Sequence, residues 1–147
     1  MAAKTKAIGD AAEAHVLASL LDAGLAVAVP WGENRRYDLI VEHGGRFWRV
    51  QVKAARLKAG AIKCCLTSTH KKDGRWVHTG YFDDADVIMI YCPSYGHVLV
   101  LGITPDTPDD VSFRIHKPRN GQRRRIRRAE DYHLLDWAAR VRNSMAE

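Results

Sequence analysis

The chain has 147 residues, 46% of them hydrophobic and 27% charged, with a formal net charge of +6; this is the size and balance of one ordinary globular domain. Seven of the 23 Lys and Arg residues fall in segment 117–128, which holds no acid, and the other sixteen nearly balance seventeen acids. Disorder and a membrane span are excluded, because no apolar run nears the roughly 20 residues a membrane helix needs.

Asp10 to about Ala23 reads as a helix, with Ala12, Val16, Leu17, Leu20 and Leu21 as its apolar stripe and Gly24 placed to end it. Strands are predicted over Leu25 to Val29, Tyr37 to Glu42, Phe47 to Lys53 and Ala61 to Ser68. A polar excursion from His70 to Gly80 turns at Asp73-Gly74. Asp86 to Cys92 and Val98 to Ile103 are apolar, β-branched runs, and Pro105 to Asp110 is a loop. A last helix starts near Gln122 and carries Leu134, Leu135, Ala138 and Val141 on one side. With no repeat or linker, residues 1–147 form a single domain of α/β (α+β) class with a mixed sheet.

The start, Met1-Ala2-Ala3-Lys4-Thr5-Lys6, leads into acids Asp10 and Glu13 rather than a secretory apolar core. Cys64, Cys65 and Cys92 are odd in number and lack C-x-x-C spacing, which argues against a disulfide framework or a zinc cluster. Both features point to a cytoplasmic protein. The basic segment, Lys117, Arg119, Arg123, Arg124, Arg125, Arg127 and Arg128, suits a surface that meets a polyanion, and nucleic acid is the leading partner. A solvated basic turn is the plain alternative, and a membrane surface fits less well because the run lacks interleaved Trp, Phe or Leu.

If Gly44-Gly45 is a two-residue hairpin loop, His43 pairs with Arg46, Leu39 with Val50 and Val41 with Trp48. Asp38 then lies opposite Gln51 on the other face, with Lys53 two residues further along it. A three-residue loop would shift the register by one and set Asp38 beside a valine. Glu13 leans toward the stripe of the first helix; Asp10-Ala11-Ala12-Glu13 also has the spacing of a capping box.

These residues resemble a known family. Glu13 on a first helix, Tyr37-Asp38-Leu39-Ile40 on one strand and Gln51-Val52-Lys53 on the next are similar to the PD-(D/E)xK nuclease superfamily. The resemblance is to its small group I intron-type homing endonucleases and related bacterial endonucleases, in which Gln replaces the second acid. Tyr81, Asp86, the strand Val87 to Tyr91, Phe113-Arg114-Ile115 and Asn120-Gly121-Gln122 extend it over most of the chain. The resemblance implies a restriction-endonuclease-like core and magnesium-dependent hydrolysis of DNA phosphodiesters, with manganese as a substitute.

That chemistry needs an activated water, charge stabilisation on the phosphoryl oxygens and protonation of the leaving 3′ oxygen. Asp38 is then the first metal ligand, Glu13 a second, and the Val52 carbonyl a third oxygen. Lys53 orients or deprotonates the attacking water and Gln51 assists. Because Gln51 is neutral, weaker binding or a single ion is expected. Arg35 and Arg36 precede Asp38 and would meet phosphates flanking the scissile one. The bland reading of Asp38, Gln51 and Lys53 is a solvated hairpin edge.

Seven histidines show no metal-ligand spacing. Asp83, Asp84 and Asp86 read as a polar loop, and Trp76 among cations as a base-stacking residue or a plain loop aromatic. The expectation is a metal-dependent double-strand DNA endonuclease acting as a homo-oligomer, dimer or tetramer, since cutting two strands takes two sites. The rival readings are a Holliday-junction resolvase acting on branched DNA and a non-catalytic nucleic-acid-binding protein with a decayed site.

Overall fold

In the computed structural model, which describes residues 2–116, 120–121 and 126–146, helix α1 (Ala2–Asp22) leads. Strands follow as β1 (Ala26–Ala28), β2 (Leu39–His43), β3 (Arg46–Ala54), β4 (Arg56–Lys58), β5 (Ala61–Cys65), β6 (Ser68–Lys72), β7 (Arg75–Thr79), β8 (Val87–Tyr91), β9 (Leu99–Gly102), β10 (Asp110–Arg114) and β11 (Arg127–Arg128). Helix α2 (Leu134–Met145) closes the chain.

The first helix begins at Ala2 rather than Asp10, so Asp10 and Glu13 both lie within it and form no capping box. Good helix formers at Ala2, Ala3, Lys4, Lys6 and Ala7 carry it upstream, and Lys6 pairs with Asp10 at 3.1 Å one turn apart. Ala12, Val16 and Leu20 recur every fourth residue and are buried, whereas Leu21 is rotated about 100° further round and stands exposed. Gly24, at φ +78°, ends the helix. There the Leu25 N–H donates to the Leu20 carbonyl at 3.0 Å and the Gly24 N–H to the Leu21 carbonyl at 2.9 Å.

The main sheet has the order β1-β2-β3-β8-β9, with β3 and β8 parallel and the other pairs antiparallel. Gly44 and Gly45, at φ +63° and +74°, make the primed two-residue turn that suits strand twist. The pairs Leu39 with Val50, Val41 with Trp48 and His43 with Arg46 follow. A second sheet has the order β11-β10-β5-β4, and β6 and β7 form a separate two-stranded hairpin.

Strand β8 divides the core. Val87 and Met89 pack with Val50, Val52, α1 and α2; Ile88 and Ile90 pack with Ile62 and Phe113 of the second sheet. Burial on both faces explains its unbroken apolar run. The polar excursion turns at Asp73-Gly74 as expected, with both φ values positive, and its two arms form the hairpin β6–β7. The expected loop from Pro105 holds as far as Asp109, and Asp110 already opens strand β10 on β5.

A correction concerns the last helix. Gln122 lies outside the described residues, but Arg127–Arg128 is a strand and Ala129–Tyr132 a 3-10 turn. His133 bridges Leu99, and the Leu134 N–H donates to the Val98 carbonyl at 3.0 Å, so His133 itself is extended and the α-helix starts only at Leu134. The buried stripe of α2 is therefore Leu134, Trp137 and Ala138, with Val141 partly covered, while Leu135 is exposed.

Candidate active site

The β2–β3 ladder stops one residue short of Asp38. Its N–H donates to the Val50 carbonyl at 2.8 Å, a step out of the register that pairs Leu39 with Val50. Beyond that point the Val52 N–H would lack a strand partner, and the Asp38 carboxylate accepts it through Oδ2 at 2.8 Å. Asp38 is thus anchored to β3 at Val52 instead of standing directly opposite Gln51. One carboxylate oxygen is occupied by this bond, which fixes the direction of the group.

Glu13 approaches from α1, next to buried Ala12. Burial raises its pKa above the ordinary carboxylate range, and the negative charges of Asp38 and then Asp10 push it further, against an opposing contribution from Lys6. Asp38 is also raised, by burial, although the Val52 N–H and the nearby Lys53 ammonium work against that. Asp38 is thus within electrostatic reach of Glu13 on the helix and of Lys53 on the next strand.

Lys53 lies on the face of β3 that its register sets beside Ile90 of β8. Its Nζ donates to the Thr67 carbonyl at 2.9 Å and sits 4.9 Å from the centroid of the buried Tyr81 ring. An ammonium has three donors, so this tether orients the group while leaving others available. Gln51 Nε2 donates to the Val52 carbonyl at 3.2 Å. Since N–H and C=O of one strand residue point to the same side, that carbonyl faces the side on which Asp38 takes the Val52 N–H.

Arg35 is exposed. Arg36 is engaged within the protein: Nε donates to Asp84 at 2.9 Å, Nη1 to the Ser68 hydroxyl at 2.6 Å, and Nη2 to the carbonyls of Thr79 and Gly80. Its guanidinium lies 4.4 Å from the Tyr81 ring centroid. Arg36 thus ties the base of the β6–β7 hairpin to the chain just ahead of Asp38. Of the basic segment, Arg127 and Arg128 pair with Phe113 and Arg114 in the second sheet, and Arg128 bonds Glu130 at 3.0 Å. Lys117, Arg119, Arg123, Arg124 and Arg125 lie outside the described residues.

Asp86 accepts the Arg49 N–H at 2.7 Å and the Arg49 side chain at 3.2 and 3.3 Å. Burial raises its pKa, but these bonds and the Arg46 charge outweigh that and hold the carboxyl low. It braces the start of β8. Sequence reasoning missed Thr67 as the Lys53 acceptor, which no local pattern marks. It also missed the Arg36 tie, which spans more than forty residues.

The donor set suits a hard divalent cation. Asp38, Glu13 and the Val52 carbonyl all offer oxygen donors, and a positive ion beside the two partly buried carboxylates would relieve the burial that raises both and the Asp38 charge that raises Glu13 further. No group of three or more His, Cys, Asp or Glu that could hold a metal stands among the described residues, so Gln51 and water would complete such a shell.

A mixed sheet backed by α1, with Asp38, Gln51 and Lys53 near the point where β2 leaves β3, is consistent with a restriction-endonuclease-like nuclease fold. Residues 3–135 match the PD-(D/E)XK endonuclease family, and the chain belongs to that family. Among solved structures, the bacterial homing endonuclease I-Ssp6803I is similar over 97% of this chain and 97% of its own, with a TM-score of 0.76 and 22% sequence identity. No curated protein matches. No helix among the described residues is long and apolar enough to cross a membrane.

Proposed function

We propose that this protein is a metal-dependent endonuclease of double-stranded DNA, a single nuclease domain over residues 1–147 with one site per chain. The observation that carries the reading is Asp38 lying within electrostatic reach of both Glu13 and Lys53, in a chain of an endonuclease family. Asp38 and Glu13 would hold magnesium, or manganese in its place, with the Val52 carbonyl as a further oxygen ligand. The bound ion would supply Lewis-acid polarisation of the phosphoryl oxygen and make a water molecule nucleophilic near neutral pH.

The protein's own residues do the rest. Lys53, steadied by Thr67, directs its free N–H donors at the attacking water and the scissile phosphate. Gln51 holds the Val52 carbonyl in place. Arg35 and the basic segment, Lys117, Arg119, Arg123, Arg124, Arg125, Arg127 and Arg128, would neutralise backbone phosphates on either side. Arg36, with its donors engaged, supports the site from behind. Cutting both strands takes two copies, so the working form is a homo-oligomer, and three free thiols suit a cytoplasmic setting.

The test is incubation of supercoiled and linear duplex DNA with wild type, Asp38→Ala and Lys53→Ala in magnesium, manganese or EDTA. Metal-dependent cutting that both variants lose is expected. A gel shift without cleavage of any substrate would leave only a binding protein, and a preference for four-way junctions over duplex would make it a resolvase.

A further inference from the structure

The hairpin β6–β7 has no structural reason to be as long as it is. It belongs to neither main sheet and gives no residue between Ser68 and Thr79 to either core cluster. A two-stranded ribbon is marginal by itself, yet this one is held at its base by Arg36 through Ser68, Thr79 and Gly80, next to the Lys53 anchor at Thr67. Five residues per strand project it roughly 17 Å.

Its surface is cationic and aromatic. Lys71, Lys72 and Arg75 face a single acid, Asp73, at the turn. The register pairs Thr69 with His78 and Lys71 with Trp76 on one face, and all four are exposed. On that face Thr69 Oγ1 bonds His78 Nδ1 at 3.1 Å, and Lys71 Nζ lies 5.5 Å from the Trp76 ring centroid. Trp76 keeps 67% of its surface in water, although an indole is costly to leave there. Hydrogen-bonding groups and one large apolar group thus share a preformed, outward-facing row.

We propose that the β6–β7 hairpin is the sequence-reading element of this nuclease, entering the DNA major groove with the Thr69, Lys71, Trp76 and His78 face toward the bases. This rests on the endonuclease reading above. The major groove, about 12 Å wide, admits a two-stranded ribbon. Lys71 donates to the N7 and O6 acceptors of guanine, Trp76 packs on a thymine methyl, and Thr69 and His78 bond neighbouring base edges. Lys72 and Arg75, on the opposite face beside the turn, meet the phosphates of the groove wall. Because the hairpin base is bonded to Lys53 and Arg36, the bases it reads lie at a fixed distance from the scissile bond.

The experiment selects bound DNA from short duplexes with a randomised centre, using Asp38→Asn protein in magnesium so that bound DNA survives. The same background then carries Lys71→Ala, Trp76→Ala or His78→Ala. These side chains are exposed, and circular dichroism checks that each variant is folded. The parent should select a sequence, and each variant should lose preference at a few adjacent base pairs, with Lys71→Ala losing about tenfold at one guanine.

Uracil in place of one thymine should weaken the parent about fourfold, the worth of one methyl, and leave Trp76→Ala indifferent. Variants that select the same sequence with the same uracil penalty, or a parent that selects none, would overturn the assignment. Cleavage of the selected duplex by wild type in magnesium tests the nuclease reading separately. Selective binding without any cutting sinks that reading and keeps the hairpin. Cutting that ignores both sequence and the hairpin variants does the reverse, and a protein that neither binds nor cuts sinks both.

Discussion

Lys53 Nζ and the Thr67 carbonyl oxygen are 2.9 Å apart, and this bond joins the active strand β3 to the base of the β6–β7 hairpin. The amine is thereby pointed before any substrate arrives, at the cost of one of its three donors.

Lys53→Met retains the aliphatic stem and removes the donors. Cleavage of supercoiled DNA in magnesium should fall by about 10²–10⁴-fold, the range for losing a positioned acid–base group. DNA binding measured by fluorescence anisotropy should change by far less, because the phosphate contacts proposed above lie elsewhere. Equal losses of binding and cleavage would show that Lys53 serves affinity only.

Asp38→Asn preserves an oxygen for the Val52 N–H and removes the charge. Asp38 and Glu13 have pKa values raised above their ordinary ones, so the stability they lend is complete below the ordinary carboxylate range and declines as pH rises through the raised values. In metal-free buffer the melting temperature of Asp38→Asn relative to wild type should therefore increase from pH 4 toward pH 7. Magnesium should stabilise wild type and leave the variant unmoved, and cleavage should drop by about a thousandfold or more. A variant that still gains stability from magnesium would remove Asp38 from the ligand set.

Gln51→Glu adds a third acid beside the pair. The half-saturating magnesium concentration for cleavage should fall by about tenfold as ligand charge increases, while the metal-free protein melts lower through added repulsion. A calorimetric titration giving the same affinity as wild type would place Gln51 outside the coordination sphere.

Arg36→Lys cannot reproduce a planar fork that bonds Asp84, Ser68, Thr79 and Gly80 together. Limited trypsin digestion should cut the variant at Lys71, Lys72 or Arg75 several times faster than wild type, with the rest of the chain resistant. Unchanged digestion would mean that the hairpin is held by other contacts.

The fold was legible wherever periodicity and turn chemistry agreed. Gly44-Gly45 specifies its turn, the turn sets the register, and the register puts Leu39 on Val50 and leaves Gln51 and Lys53 on the opposite face. Polar ribbons lack that redundancy: β6 and β7 bury no apolar row, so alternation is silent there and only Asp73-Gly74 marks the turn. The start of α2 was misread for a related reason, because His133 is held extended by Leu99, a contact from a distant strand. At the site, Glu13, Asp38 and Lys53 were readable as residue types in order. The Asp38 bond to Val52 was not, since it depends on where the ladder ends.

The parallel pairing of β3 with β8 sets the order in which the molecule becomes competent during synthesis. The hairpin carrying Asp38, Gln51 and Lys53 can close locally, but β8 joins it only after residues 55–86 have left the ribosome and looped round. Closing so long an excursion costs entropy before any contact repays it. Until β8 arrives, Val50 and Val52 lack the Val87 and Met89 side of their core, and β3 from Val50 to Ala54 stands as an open edge. An incomplete chain therefore carries Asp38, Gln51 and Lys53 without the strand that completes the core behind them.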